Sequence, residues 1–404
     1  MINRRVLFAA TAAVGSFVTA AFSGRKAAAT TYTSKNLSPK GDIAHRGAKG
    51  RFERIPDLDL ESKHDFVTGF RMFHQRFSPL VKSRIAKILE AKGIDPKAQL
   101  TMEETLKLVE NDLFVQTSGR TWISNQQITW KIIQDYYHAH ADEYLAEMEA
   151  ADKDGPGTLE LNPDLKIPDY IRREIHIQPG GYVGDPFAGH IYHHGTNSFS
   201  AGVSILGDNE QDQVPIRTVE RLPLPEDGKV RRILDMGCGI GRLVVALKER
   251  FPDAEVWGID AGGPLVRYAH MRARDLGIAV NFAQRLAEDT KFEDGYFDIV
   301  VSTIINHEIP TEDNKKVIAE AYRLTRTGGY YYPIDFQTSK NADKGTADAQ
   351  YRRWWDYRWN EEPWSPDFVA FDFDGAIEKA GFVINRETKP AQPGFGARHA
   401  VKRA

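Results

Sequence analysis

Aromatic residues recur at helical spacing early in the chain. Phe66, Phe70, Phe73 and Phe77 fall at i, i+4, i+7 and i+11, which predicts a helix with an apolar, core-facing stripe, and Gly93 supplies a stop. Thr101 with Glu104 forms a capping box ahead of Leu106, Val109 and Leu113. A longer amphipathic segment from Trp122 to Met148 sets Trp130, Ile133, Tyr137, Tyr144 and Met148 on related faces. The stretch 151–228 is looser, marked by the turn sequences DKDGPG, QPGGYVGDP and LPLPEDG.

Beyond residue 228 the texture changes to short aliphatic runs separated by helical stretches. Strands are predicted over 231–236, 255–260, 280–284, 298–303 and 330–335, with helical patterns over 243–250 and 264–276. Such alternation predicts an α/β fold with an open, doubly wound parallel sheet. AGFVINRE and ARHAVKRA read as a closing pair of strands. The expected organisation is a leader over 1–29, a mainly helical N-terminal domain over 30–222 and the α/β domain over 223–404.

The leader rests on composition. Arg4 and Arg5 precede an apolar run from Val6 to Phe22, Ala27–Ala29 follow, and the first acidic residue is Asp42. That order matches an export signal, with the paired arginines pointing to the twin-arginine type, although Asn3 stands where Ser or Thr is usual. An uncleaved membrane anchor and an organelle transit peptide fit the same features. Export predicts a periplasmic protein with no stable membrane insertion once the signal is removed.

Among 404 residues Cys238 is the only cysteine, so neither an intramolecular disulfide nor a cysteine-based zinc site can be assembled. A net charge of -3 offers no electrostatic footprint for nucleic acid.

The candidate chemistry centres on ILDMGCGIGR, residues 233–242. Gly237, Gly239 and Gly241 alternate directly after Asp235, where a first strand must turn into a helix whose free N–H groups face a ligand. A dinucleotide fingerprint requires glycine at position 242, which is Arg242, and this weakens a nicotinamide oxidoreductase reading. Asp260 ends the next strand, where a carboxylate can accept hydrogen bonds from both hydroxyls of a ribose.

The alternating glycines with Asp260 resemble motif I of the class I S-adenosylmethionine-dependent methyltransferases. The resemblance covers about residues 228–404 and implies a Rossmann-like sheet of seven strands, the last pair antiparallel, with S-adenosylmethionine as cofactor. It assigns Asp235, Gly237, Gly239, Gly241 and Asp260 to that cofactor, together with Ala287 and Glu288 after the third strand and Ser302 in the fourth. Leu286 departs from the acid usual at its position, and Thr327 replaces a frequent proline.

Methyl transfer is an in-line displacement for which the protein mainly supplies alignment; a base is needed only where the acceptor must lose a proton early. His307 and Glu308, after the fourth strand, are the candidate catalytic pair. His190, His193, His194, Trp354 and Trp355 are candidates for the acceptor pocket, and no metal is assigned. A small-molecule acceptor is expected, since the Asn-Pro-Pro-Tyr-like signature of nucleic-acid methylation is missing: residues 303–306 read TIIN. The competing reading is an exported binding protein that keeps the fold without turnover. Oligomeric state cannot be read from the chain.

Overall fold

A computed structural model describes residues 58–199, 210–339, 342–385 and 395–404, with three short strands between 37 and 53. The predicted leader lies outside the described residues. The helices are α1 (Leu58–Gln75), α2 (Phe77–Ala91), α3 (Met102–Val109), α4 (Leu113–Ala139), α5 (Ala141–Ala151), α6 (Ala188–Phe199), α7 (Glu210–Arg221), α8 (Arg242–Arg250), α9 (Gly263–Asp275), α10 (Thr311–Leu324), α11 (Ala347–Trp359), α12 (Ser365–Ala370) and α13 (Phe373–Lys379). The strands of the main sheet are β1 (Thr158–Glu160), β2 (Arg232–Met236), β3 (Glu255–Asp260), β4 (Asn281–Gln284), β5 (Phe297–Thr303), β6 (Thr325–Phe336), β7 (Phe382–Asn385), β8 (Phe395–Ala397) and β9 (His399–Lys402).

Strand order is β7-β9-β6-β5-β2-β3-β4-β1, with β8 beside β6. From β1 to β6 every pairing is parallel, while β9 runs antiparallel to both β6 and β7. Among the described residues the sheet therefore has nine strands, not the seven expected. One addition is β1, which extends the edge from the N-terminal half. The short β8 is the other; neither carries a period-2 pattern long enough to announce a strand.

β2 and β5 are buried along nearly their whole length, with apolar cores Ile233–Leu234 and Ile299–Val301, because both faces of the sheet are covered. Ile233 packs with Val244, Leu247, Val266 and Ala269 of α8 and α9 on one face. Its neighbour Leu234 packs with Val317, Ile318, Phe373 and Ile377 of α10 and α13 on the other. Topology reverses at β2, whose partners are β3 on one side and β5 on the other, so a crevice opens at the carboxyl ends of these strands.

The N-terminal helices share a core with this domain: Trp130, Ile133 and Tyr137 of α4 and Ile191 of α6 pack with Tyr268 and Met271 of α9. The Thr101–Glu104 capping box is present, with both reciprocal hydrogen bonds. The phenylalanine stripe is a correction: Phe66 is 72% and Phe73 52% exposed. The buried face of α1 instead carries Leu60, His64, Val67, Thr68 and Arg71. Three of these positions face polar partners: Asn125 Nδ2 donates to the Val67 carbonyl (2.8 Å), Arg71 donates to Gln126, and the His64 ring meets the His194 carbonyl (2.8 Å). The hydrophobic pattern hides a packed face that is held by hydrogen bonds.

Candidate functional site

The carboxyl ends of β2, β3 and β5 open into a cavity of about 410 Å3. Its floor is the glycine loop. The amides of Gly237 and Cys238 both donate to the Ile259 carbonyl (2.8 and 2.9 Å), tying the loop to β3. Gly239 and Gly241 adopt φ of +52° and +75°, a left-handed backbone that residues with a Cβ avoid. A Cβ on Gly241 would lie 2.6 Å from Phe282, whereas one on Gly239 would point into open space. The loop is thus closed against the core at one glycine and bare toward the cavity at another.

Two carboxylates stand over it. Asp260 Oδ2 accepts from the Gly239 amide (2.9 Å) and Oδ1 from the Gly262 amide (2.8 Å). Burial raises the Asp260 pKa, opposed by these amide hydrogen bonds. Asp235 is 2% exposed and lines the cavity, yet its Oδ1 has no hydrogen-bond partner. Burial, then the Asp260 charge, raises its pKa well above the carboxylate range. A buried acceptor oxygen without a donor is costly and calls for one from a ligand. With the bare Gly239 backbone beside it, the donor set fits a ribose-bearing cofactor with a cationic head.

Of the other predicted cofactor residues, Ala287 and Glu288 line the cavity and Gly241 supports it from behind. Glu288 is held by Tyr170, whose hydroxyl donates to Oε1 (2.7 Å). Ser302 is a correction: it is fully buried off the cavity, its hydroxyl 2.8 Å from that of Tyr331.

The opposite wall comes from the loop after β5 and from N-terminal segments. Ile304 lines it with φ of +57°, a conformation uncommon for any residue with a Cβ and an outlier for a β-branched one. Glu308 also lines it, but His307 does not. His307 is 1% exposed, its Nδ1 2.7 Å from Asp335 Oδ1, beneath Phe336. Burial opposes its charge, but Asp335 and Glu362 outweigh that and hold its pKa up at about 10. An imidazole already protonated and turned from the cavity cannot take a proton from a ligand there, which corrects its expected role as a base.

The pocket candidates are also relocated. His190, His193 and His194 are buried on α6, a helix that forms despite the glycines before it. They pack among Tyr137, Tyr144 and Tyr268, and the same helix presents Tyr192 and Thr196 to the cavity instead. Trp355 stacks edge-on against Trp122 at 4.2 Å, and Trp354 packs beside it; neither lines the cavity.

Sequence reasoning missed Tyr170, His176, Tyr182 and Tyr192, which form the cavity's roof. His176 and Ile177 have φ of +57° and +52°. The His176 carbonyl accepts from Trp130 Nε1 (2.8 Å), which helps to fix this bend. Its ring Nδ1 lies 3.2 Å from Glu362 Oε1 and its Nε2 3.9 Å from Glu308 Oε1. Burial, helped by the His307 cation, lowers the His176 pKa to about 4, so the ring is neutral. Burial raises the pKa of both Glu308 and Glu362. Tyr182 donates to Glu308 Oε1 at 3.4 Å. Among the described residues, His176, Glu308 and Glu362 are the one group of ligating side chains close enough to share a metal ion, with ligand atoms within 4.8 Å of one another.

Comparisons with known proteins agree with this geometry. Residues 233–329 match the family described as "Methyltransferase domain". The demethylmenaquinone methyltransferase of Thermus thermophilus is 38% identical over 106 residues, 26% of this chain and 47% of that protein. The ubiquinone biosynthesis O-methyltransferase of Pseudomonas aeruginosa is 34% identical over 103 residues, 25% of this chain and 43% of that one. The chain therefore spans less than half the length of these relatives. A SAM dependent methyltransferase from Aquifex aeolicus overlays 50% of this chain and 96% of its own at 20% identity, with a TM-score of 0.36, too low to add to the sequence match. Residues 233–329 thus carry a methyltransferase domain, similar to those of S-adenosylmethionine-dependent methyltransferases.

Proposed function

We propose that the protein transfers a methyl group from S-adenosylmethionine to a small-molecule acceptor held in the same cavity. The observation that carries this reading is the unpartnered Asp235 oxygen beside the bare Gly239 backbone and the amide-held Asp260, all lining one cavity. S-adenosylmethionine supplies there a methyl on a sulfonium, already activated for displacement. Asp260, fixed by two amides, has lone pairs left for the ribose hydroxyls. Asp235 offers its free oxygen to the donors of the methionine part, and Ala287 and Glu288 flank the adenine.

The acceptor enters on the far side, between Tyr182, His176, Ile304 and Glu308. Tyr192 and Trp130 add aromatic surface on that side, which suits a flat acceptor. A cavity of about 410 Å3 lies in the usual range for small-molecule sites, about 300–1,000 Å3. The names of the relatives, a menaquinone-pathway and a ubiquinone-pathway methyltransferase, support a small aromatic acceptor in preference to a macromolecule.

The test is calorimetric titration with S-adenosylmethionine and with NAD, followed by a screen of phenolic and quinol acceptors for radiolabelled methyl transfer. One equivalent of S-adenosylmethionine is expected, with no NAD binding. Tight NAD binding without any response to the sulfonium overturns the assignment. Cofactor binding with no transfer to any acceptor leads instead to a binding protein that retains the fold.

A further inference from the structure

We propose that His176, Glu308 and Glu362 bind one divalent first-row transition-metal ion at the acceptor end of the cavity. Three segments far apart in sequence converge here: the bend after residue 175, the loop after β5, and the turn after α11. Two ligands sharing an ion through bonds of ~2.1 Å lie ~3.0–3.4 Å apart for octahedral to tetrahedral angles. His176 Nδ1 and Glu362 Oε1, 3.2 Å apart, have that spacing already. Glu308 completes the set within 4.8 Å, close enough for a rotamer adjustment to bring it into the coordination sphere.

Electrostatics points the same way. The His307 ring lies against the buried carboxylates of both Asp335 (2.7 Å) and Glu362 (3.6 Å), and the half-buried Glu308 is the next residue along the chain. Three carboxylates thus crowd around one imidazole ring. Glu362 is 4% exposed, and its Oε2 accepts no hydrogen bond. Burying carboxylates without sufficient counter-charge is expensive, and either protons or a metal ion must make up the difference. An imidazole binds a metal ion through one ring nitrogen, and here Nδ1 is the nitrogen beside Glu362. One imidazole with two carboxylates suits Mn2+, Fe2+ or Zn2+ better than Mg2+ or Ca2+.

His176 and Glu308 line the cavity, so an ion held by this set lies at its wall, within reach of an acceptor. Resting on the methyl-transfer reading, the substrate class follows: an acceptor hydroxyl with a second oxygen beside it, able to chelate. The ion lowers the pKa of that hydroxyl. Its proton leaves to solvent, the oxygen lone pair forms the new O–C bond, and the electrons of the S–C bond stay on sulfur.

The experiment is titration of metal-free full-length protein with Mn2+, followed by electron paramagnetic resonance, in wild type, Glu362→Gln and His176→Asn. Glutamine keeps the shape of Glu362, and asparagine tolerates the left-handed backbone at position 176. Wild type is expected to bind one Mn2+ with nitrogen coupling from one imidazole. Each variant should bind at least ~10-fold more weakly, since even outer-shell partners cost 10–100-fold. Absence of stoichiometric Mn2+ and of Zn2+ binding by wild type, or unchanged Mn2+ affinity in both variants, overturns the site. Should a variant misfold, bound Mn2+ without imidazole coupling in wild type overturns it alone. S-adenosylmethionine affinity, measured in parallel without metal, reports separately on the methyl-transfer reading.

Discussion

Adding one methyl group at Gly239 and, separately, at Gly241 divides the two duties of the loop. Both residues have positive φ, so alanine at either costs about 1–2 kcal/mol of stability. At Gly241 the new Cβ also meets Phe282 at 2.6 Å and Ala269 at 3.0 Å, two groups locked in the core. Overpacking of that kind adds about 1–3 kcal/mol, for a total near 2–5 kcal/mol. At Gly239 nothing lies within 4 Å of the Cβ position, so no such addition arises, but the methyl occupies the surface on which the cofactor lies. Gly239→Ala should therefore lose at least ~10-fold in S-adenosylmethionine affinity, about 1.4 kcal/mol, while staying the more stable variant. Urea unfolding gives the stabilities and calorimetry the affinity. If Gly239→Ala binds the cofactor as wild type does, or falls as far in stability as Gly241→Ala, the loop is not a bare cradle.

Other expectations follow from the same geometry. Asp260→Asn exchanges a carboxylate held by two amides for a carboxamide with one acceptor oxygen; the loss of charged hydrogen bonds, about 1.5–3 kcal/mol, should weaken S-adenosylmethionine roughly 10- to 100-fold, and an unchanged Kd contradicts the ribose assignment. Trp122→Ala and Trp355→Ala should each destabilise by about 3–5 kcal/mol in urea titrations, and because the rings touch at 4.2 Å the double variant should fall short of the sum. Burial, with the Arg272 cation and, for His194, His64 and His190, holds His193 and His194 neutral in the fold. Unfolded, they take up protons near pH 6.5, so their contribution is full above that value and declines as pH falls below it. Raised carboxylates such as Glu308 and Glu362 act in the opposite sense, so the measurement is the difference. Between pH 7 and pH 5, wild type should lose more stability than His194→Gln, and equal slopes count against buried neutral histidines.

The cofactor side of the site was legible because it is local. Asp235 and Asp260 lie at the carboxyl ends of adjacent strands whose aliphatic residues announce them, and the alternating glycines fall between them in one short stretch. β3 matches its predicted limits, and β2, β4 and β5 match within a residue. Where polar groups share the packing, the pattern failed. α1 buries His64, Thr68 and Arg71 and exposes Phe66, because hydrogen bonds to α4 and α6 hold what apolar contact would otherwise hold. α6 forms across residues 188–199 since its histidines find aromatic neighbours in α4, α5 and α9, a tertiary gain that overrides the weak helical signal before it.

The acceptor side was illegible for a different reason: no single stretch contains it. His176 lies in a bend after a 3-10 turn, Glu308 after β5, and Glu362 beyond α11 next to Glu361, itself at φ of +54°. These positions meet only once α4 and α6 have docked against α9, and Trp130 bonds the His176 carbonyl while sharing that docking core. The N-terminal helices are therefore part of the acceptor site's construction. Replacing Trp130 by Phe keeps the ring in the core but removes its N–H donor. This should release the bend at His176 and disturb the acceptor side while leaving the glycine loop and Asp260 in place. The expected result is native S-adenosylmethionine affinity with a raised acceptor KM. Loss of cofactor affinity in that variant, with stability retained, refutes the division of the cavity into a local cofactor half and an assembled acceptor half.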